Sequence, residues 1–206
     1  MSMRKAILLI ATAISFVNVK AQIAVGLKAG VNFSKENYKS STYTTSNHTY
    51  FAGGIFAQYS FAKSFALQLE VVHSGEGTHE EYMANNTKVT GVVTINRLNV
   101  PLLLQYKTVP GIYFETGPQI GFVLSAKGKY TTGSYDFKPN TNSTLFSWCV
   151  GAGYTLTKGA PGLGIGVRYA PGLSHIDKGA TNAQSIKGST INVSVAYAFL
   201  HCKKKK

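Results

Sequence analysis

The amino-acid sequence predicts an all-β fold, an eight-stranded antiparallel up-and-down transmembrane β-barrel. Three observations predict it. Apolar residues recur at every second position in stretches of about ten residues, the length a tilted strand needs to cross a bilayer. The segments joining these stretches alternate strictly between long and short, and aromatic side chains gather beside the short joints. The composition agrees. Charged residues make up 14% of the 206 residues and hydrophobic ones 44%, with 21 Gly, 12 Tyr and 11 Phe. That balance is the reverse of a disordered chain and is unlike the surface of a soluble domain.

Residues 1–21 read as a secretory signal peptide. Arg4 and Lys5 supply the positive start, and Ala6 to Val19 form an apolar run broken only by Thr12, Ser15 and Asn18. Val19-Lys20-Ala21 then places small or compact residues where a signal peptidase reads, so cleavage after Ala21 leaves Gln22 first. The run is too short for an anchor helix, and no Cys follows it to take a lipid.

The barrel domain is expected over residues 22–199. Its first strand is unambiguous: Ile23, Val25, Leu27, Ala29, Val31 and Phe33 alternate with small or polar residues. A second strand is expected near Phe51–Phe61, a third from Phe65 to about Ser74, and a fourth over about Ile95–Tyr106. The fifth covers Ile112–Ser125, the sixth Leu145–Thr155, the seventh Gly162–Ser174 and the eighth Thr190–Phe199. Pro101 and Pro118 fall inside the fourth and fifth, where a proline removes a ladder donor; local bulges are expected to accommodate them. Residues 200–206 form a basic tail ending in Lys203 to Lys206, read as a solvated periplasmic segment near anionic headgroups.

Long connections are expected at Ser34–Thr49, near Gly75–Thr94, near Ala126–Thr144 and near His175–Ser189. Short ones are expected at Ala62–Ser64, Lys107–Gly111 and Leu156–Pro161. Such sorting follows when long loops face the exterior and short turns face the periplasm, and it places both termini in the periplasm of a Gram-negative cell. Tyr59, Phe61, Phe65, Tyr106, Tyr154, Tyr197 and Phe199 lie near the short turns as an inner aromatic girdle, with Phe33, Phe51, Phe122 and Phe146 marking an outer one.

The same parity sends Lys28, Glu70, Glu115 and Arg168 into the lumen, together with Gln58, Gln68, Gln105, Lys107 and Gln119. A basic group on the lipid face near the midplane costs roughly 2–4 kcal/mol. Charges in a narrow, poorly hydrated lumen should pair instead. The expectation is a polar network in which Glu70 and Glu115 meet Lys28, Lys107 or Arg168. An eight-stranded barrel is filled by its own side chains, which argues against a diffusion pore.

Other function classes find little support. The net charge of +13 suggests nucleic acid, but Arg4, Lys5 and Lys20 lie in the leader, Lys203 to Lys206 at the end, and the rest are scattered singly. Cys149 and Cys202 make no disulfide framework. His73, Glu76, His79 and Glu80 lack the spacing of a zinc site and read as a solvated polar loop, with Glu80 an exposed loop charge. Ser174, His175 and Asp177 are neighbours in sequence, which is not the geometry of a catalytic triad. The run Gly162-Leu163-Gly164-Ile165-Gly166 precedes no helix, so it is no phosphate loop; Gly164 and Gly166 face inward and leave room for bulkier neighbours. No catalytic residue, cofactor or metal is expected. The expected partners are outer-membrane lipid and, through the exterior loops, envelope or secretion proteins. The leading expectation is a non-enzymatic structural or interaction role; the competing classes are an accessory component of a secretion or envelope-assembly system and an outer-membrane hydrolase.

The stretch Leu98-Asn99-Val100-Pro101-Leu102-Leu103-Leu104-Gln105-Tyr106-Lys107 resembles the central motif of the PorT-like outer-membrane barrel family of Bacteroidetes. So do Glu115-Thr116-Gly117-Pro118-Gln119-Ile120-Gly121 and Leu124-Ser125-Ala126-Lys127. Gly151-Ala152-Gly153-Tyr154, Arg168-Tyr169-Ala170-Pro171-Gly172-Leu173 and the junction Ala21-Gln22 also fit. The chain departs from the motif at Arg97 and Asn99, where an aromatic and an acidic residue are common. The resemblance implies an outer-membrane barrel, and the family's naming member implies a link to type IX secretion. For the leader, mass spectrometry of the membrane-assembled protein should show Gln22, or its cyclised form, at the amino terminus. An intact Met1 would contradict cleavage after Ala21.

Overall fold

The computed structural model describes residues 22–37, 44–84, 87–179 and 186–201. The expected leader, including Ala21, and residues 202–206, including Cys202 and the lysine run, lie outside the described residues. Nine strands follow one another: β1 (Gln22–Asn37), β2 (Thr44–Ser60), β3 (Phe65–Ala84), β4 (Thr87–Lys107), β5 (Ile112–Tyr130), β6 (Gly133–Asp136), β7 (Thr144–Thr155), β8 (Leu163–Pro171) and β9 (Lys187–His201). A single 3-10 turn, Lys138–Asn140, follows β6.

All pairings are antiparallel, and eight of the strands close a ring in the order β1-β2-β3-β4-β5-β7-β8-β9. Closure comes from β9 against β1, with Leu27 opposite Tyr197 and Val31 opposite Val193. β6 stands outside the ring as a short ribbon on β5, Lys127 opposite Asp136. Hydrocarbon offers no partner for a backbone N–H or C=O, so a sheet that spans it must close.

The two faces differ as the alternation requires. Leu27, Ile55, Leu69, Leu102, Val167 and Val195 point outward and are exposed, while Glu70, Gln105, Glu115 and Arg168 are buried inside. A continuous apolar exterior around a polar interior fits lipid outside. At the end carrying the short turns, the Tyr59, Phe61, Phe65 and Tyr106 rings touch in sequence, with centroids 6.4, 6.2 and 5.2 Å apart. The turn between β4 and β5 folds back through Thr108 N–H donating to Ile112 O at 2.8 Å. Gly111 adopts φ +104 there, where a Cβ would lie 2.2 Å from Thr155 O, so the turn requires glycine.

Three expectations are corrected. The connection near Gly75–Thr94 is mostly strand: β3 and β4 stay paired from Gly75↔Asn96 up to Ala84↔Thr87. β1, β2 and β5 likewise run beyond the expected ends, to Asn37, from Thr44 and to Tyr130. Apolar alternation marks only the part of a strand that crosses lipid. Above it, hydrogen bonding continues through Thr-, Tyr- and Val-rich sequence that suits a ladder equally well. Second, no bulge accommodates the prolines. Pairing skips the rungs between Leu69↔Leu102 and Val72↔Asn99, and between Pro101↔Gln119 and Leu104↔Thr116, and resumes in unchanged register. The register shift of β4 against β5 lies elsewhere, between Asn96 and Arg97. Third, Leu200 and His201 continue β9 instead of beginning the tail.

A closed ring has no edge from which to fray. The protein should therefore keep its fold in cold detergent and change its electrophoretic mobility only after boiling. Identical mobility before and after boiling would contradict closure.

Candidate functional site

The chemistry of this molecule lies inside the ring, in layers. Inward parity on β3 presents Gln68, Glu70, Ser74, Glu76 and Glu80. β4 contributes Arg97, Asn99, Gln105 and Lys107, β5 contributes Glu115 and Gln119, β8 contributes Arg168, and β1 contributes Lys28 and Asn32.

The central layer is built on Arg168. Its Nη1 and Nη2 donate to the two oxygens of Glu70, each at 2.8 Å, and its Nε donates to Glu115 Oε1 at 2.7 Å. A bidentate fork of this kind is among the stronger and more directional pairings available to a carboxylate. Lys28 Nζ donates to Glu70 Oε1 at 3.1 Å, and Gln68 Nε2 donates to the same oxygen at 2.6 Å. Gln105 Nε2 completes Glu115 by donating to Oε2 at 2.9 Å. Glycine makes the space: a Cβ on Gly151 would lie 3.0 Å from Glu115 Oε1.

Toward the short turns the side chains become amides. Gln58 Nε2 donates to Gln68 Oε1 at 2.8 Å and to Gln105 Oε1 at 2.6 Å. Lys107 Nζ donates to Gln58 Oε1 rather than to a carboxylate. It thus joins the network through an amide.

Toward the long hairpins a second charged layer centres on Glu76. Arg97 forms an ion pair with Glu76, Asn99 Nδ2 and Ser74 Oγ each donate to Oε1 at 3.0 Å, and Thr190 Oγ1 donates to Oε2 at 2.8 Å. Asn32 links this layer to β9, donating to Ser74 Oγ at 2.8 Å while its Oδ1 accepts from Asn192 at 2.7 Å. Beyond it an apolar cluster of Val93, Ile95, Val123, Ala126, Leu145 and Ile176 occupies the lumen, with Tyr130, Phe137 and Ile186 packed on it. Asn142 straps the β8–β9 connection over this cluster, its Nδ2 donating to His175 O at 2.9 Å and Asp177 O at 3.1 Å.

Sequence reasoning missed the second layer. Glu76 and Glu80 are not solvated loop residues: they are 5% and 3% exposed, and Glu80 Oε2 accepts from the Tyr130 hydroxyl at 2.8 Å. Glu70, Ser74, Glu76 and Glu80 share one parity, but the outward residues beside the last two, Gly75, Gly77, His79 and Glu81, are not apolar and left that parity unmarked. The supposed histidine cluster separates accordingly, since His73 points outward and His79 stands beside Glu81 at 3.7 Å. Among the described residues no three His, Cys, Asp or Glu side chains are placed to hold a metal ion. Ser174 Oγ accepts from the Phe146 N–H at 2.8 Å, and partial burial raises the Asp177 carboxyl above its ordinary pKa. Cys149 is a buried free thiol beside Gln119.

This architecture has a family. Residues 18–178, well over half of the sequence, match the family described as "Outer membrane protein beta-barrel domain". The chain belongs to that family. It is an outer-membrane β-barrel protein of a Gram-negative bacterium. No curated protein matches the sequence. Among solved structures, Ail, the attachment invasion locus protein of Yersinia pestis, is 15% identical, with 88% of this chain and 100% of that one covered and a TM-score of 0.49. Neisserial surface protein A is 13% identical over 88% of this chain and 98% of its own, with a TM-score of 0.48. OprG of Pseudomonas aeruginosa is 14% identical over 87% and 95%, with a TM-score of 0.39.

The geometry ranks the carboxylates. Glu70 neutralises both Lys28 and Arg168, whereas losing Glu115 still leaves Arg168 its bidentate partner. Glu70→Gln should therefore destabilise the barrel by about 3–5 kcal/mol, Glu115→Gln by less, and Glu81→Gln on the outer hairpin not measurably. Urea unfolding in lipid vesicles checks the order, and a neutral Glu70→Gln would overturn it.

Proposed function

We propose that this protein is a non-enzymatic, non-conducting barrel that serves the outer membrane structurally and presents its long hairpins for interaction. The carrying observation is the filled cross-section. Arg168 ties β8 to β3 and β5 across the lumen, Lys28 ties β1 to β3, and the Glu76 layer and apolar cluster close the space above. The void between the charged layers is about 40 Å³, room for water but not for a hydrated solute.

In this reading the short turns and both chain ends lie in the periplasm, the leader is removed, and the paired ends of β3 and β4 rise outside the cell. The positive leader and the sorting of short turns to one end support that orientation. The Glu70 and Glu115 network then fixes strand register: sliding a strand by one residue would turn every inward charge onto lipid. The finer kinship with PorT-like barrels rests on the Leu98–Lys107 and Glu115–Gly121 motifs.

Reconstitution into planar bilayers tests the reading. The protein should give no steady open level under applied voltage, and neither should Glu115→Gln, because the apolar cluster remains. A large, stable conductance from the unaltered protein would overturn it.

A further inference from the structure

The end of the lumen that carries the short turns is open. Below the amide layer lies a cavity of about 620 Å³, a size that encloses a small organic molecule. Its wall is mixed: Ile23, Phe56, Leu156, Pro161 and the β9 alanines form an apolar side, and Lys28, Gln58, Gln68, Gln105 and two threonines a polar one. Two of its polar groups together favour one class of ligand.

The first is Lys107. Its ammonium donates to Gln58 Oε1, and among the described residues no carboxylate lies within ion-pair distance of it. At this end of the barrel three cations, Lys28, Lys107 and Arg168, face two carboxylates, Glu70 and Glu115, so one positive charge stands over. The second is Tyr113. Its hydroxyl makes no hydrogen bond to a described residue and lines the same cavity. Its ring lies where two glycines keep the wall low: a Cβ on Gly153 would come within 2.4 Å of it, and one on Gly166 within 2.5 Å of the hydroxyl. An ammonium with spare donors and a free hydroxyl, facing the apolar side of Phe56 and the β9 alanines, favour an anionic head on an apolar body.

We infer that this cavity binds a small organic monoanion, a carboxylate seated at Lys107 and Tyr113 with a compact apolar body against Phe56 and the β9 alanines. Access is from the short-turn end, since the Arg168 layer closes the cavity above. A cationic ligand would be repelled, and a neutral one would leave the ammonium unmatched.

The test uses the whole protein extracted from outer membranes into neutral detergent, titrated calorimetrically with benzoate, benzyl alcohol and benzylamine. Benzoate should bind saturably, with the alcohol and the amine roughly ten-fold weaker or undetectable. Lys107→Gln should weaken benzoate roughly ten-fold, and Tyr113→Phe roughly three-fold. Glu81→Gln on the outer hairpin should leave benzoate binding unchanged. If Lys107→Gln fails to show the folded mobility in cold detergent, Tyr113→Phe, which removes a single oxygen, decides. Absence of saturable benzoate binding, equal affinity for benzyl alcohol, or wild-type affinity in the folded variants would each overturn the inference.

Discussion

A strand that crosses hydrocarbon has no freedom in how it disposes of charge. Its side chains alternate between lipid and lumen, and a cation on the lipid side near the midplane costs roughly 2–4 kcal/mol. Every charge within the membrane-crossing part of this chain must therefore face inward, and once inside it must find a partner in a space a few side chains wide. The Arg168–Glu70–Glu115–Lys28 cluster is the outcome. These residues come from β8, β3, β5 and β1, so the lumen is braced by side chains as well as by the wall.

The same constraint explains how the interior is sorted along its axis. Amides lie toward the short turns, an ion-pair layer fills the middle, a second follows around Glu76, and apolar side chains close the far end. Each layer satisfies the one beside it: Gln68 and Gln105 donate to the carboxylates and accept from Gln58. Buried polar groups are costly when unmatched, and two networks, one from Lys107 to Arg168 and one around Glu76 to Thr190, keep most of them matched. Glycines at Gly151, Gly153 and Gly166 lie where the bulky side chains of β5 cross the wall.

Much of this was legible in the sequence, and the part that was not has a physical reason. Parity alone assigns Lys28, Glu70, Glu115 and Arg168 to one face, because Leu27, Leu69, Phe114 and Val167 beside them mark the other. Above the lipid the outward residues need not be apolar, so the marker vanishes and parity has no visible anchor. Glu76 and Glu80 fell in that region and read as loop. The prolines misled for another reason. A missing donor can be met by bulging, but here the ladder omits the rungs and keeps its register, a choice that depends on both flanking strands at once. The cavity at the short-turn end was likewise hidden, since it reflects how small Ala196, Ala198 and Gly164 are relative to one another across the ring.

The filled cross-section bears on the economy of the whole envelope. Wide barrels trade surface presentation against leakage, because every additional copy adds an aqueous path for toxic solutes and antibiotics as well as for nutrients. A barrel that does not conduct, as we propose for this one braced by Arg168, escapes that trade. A cell could crowd its surface with such a protein, or vary its hairpins widely, and the permeability of the membrane would stay where its true porins set it.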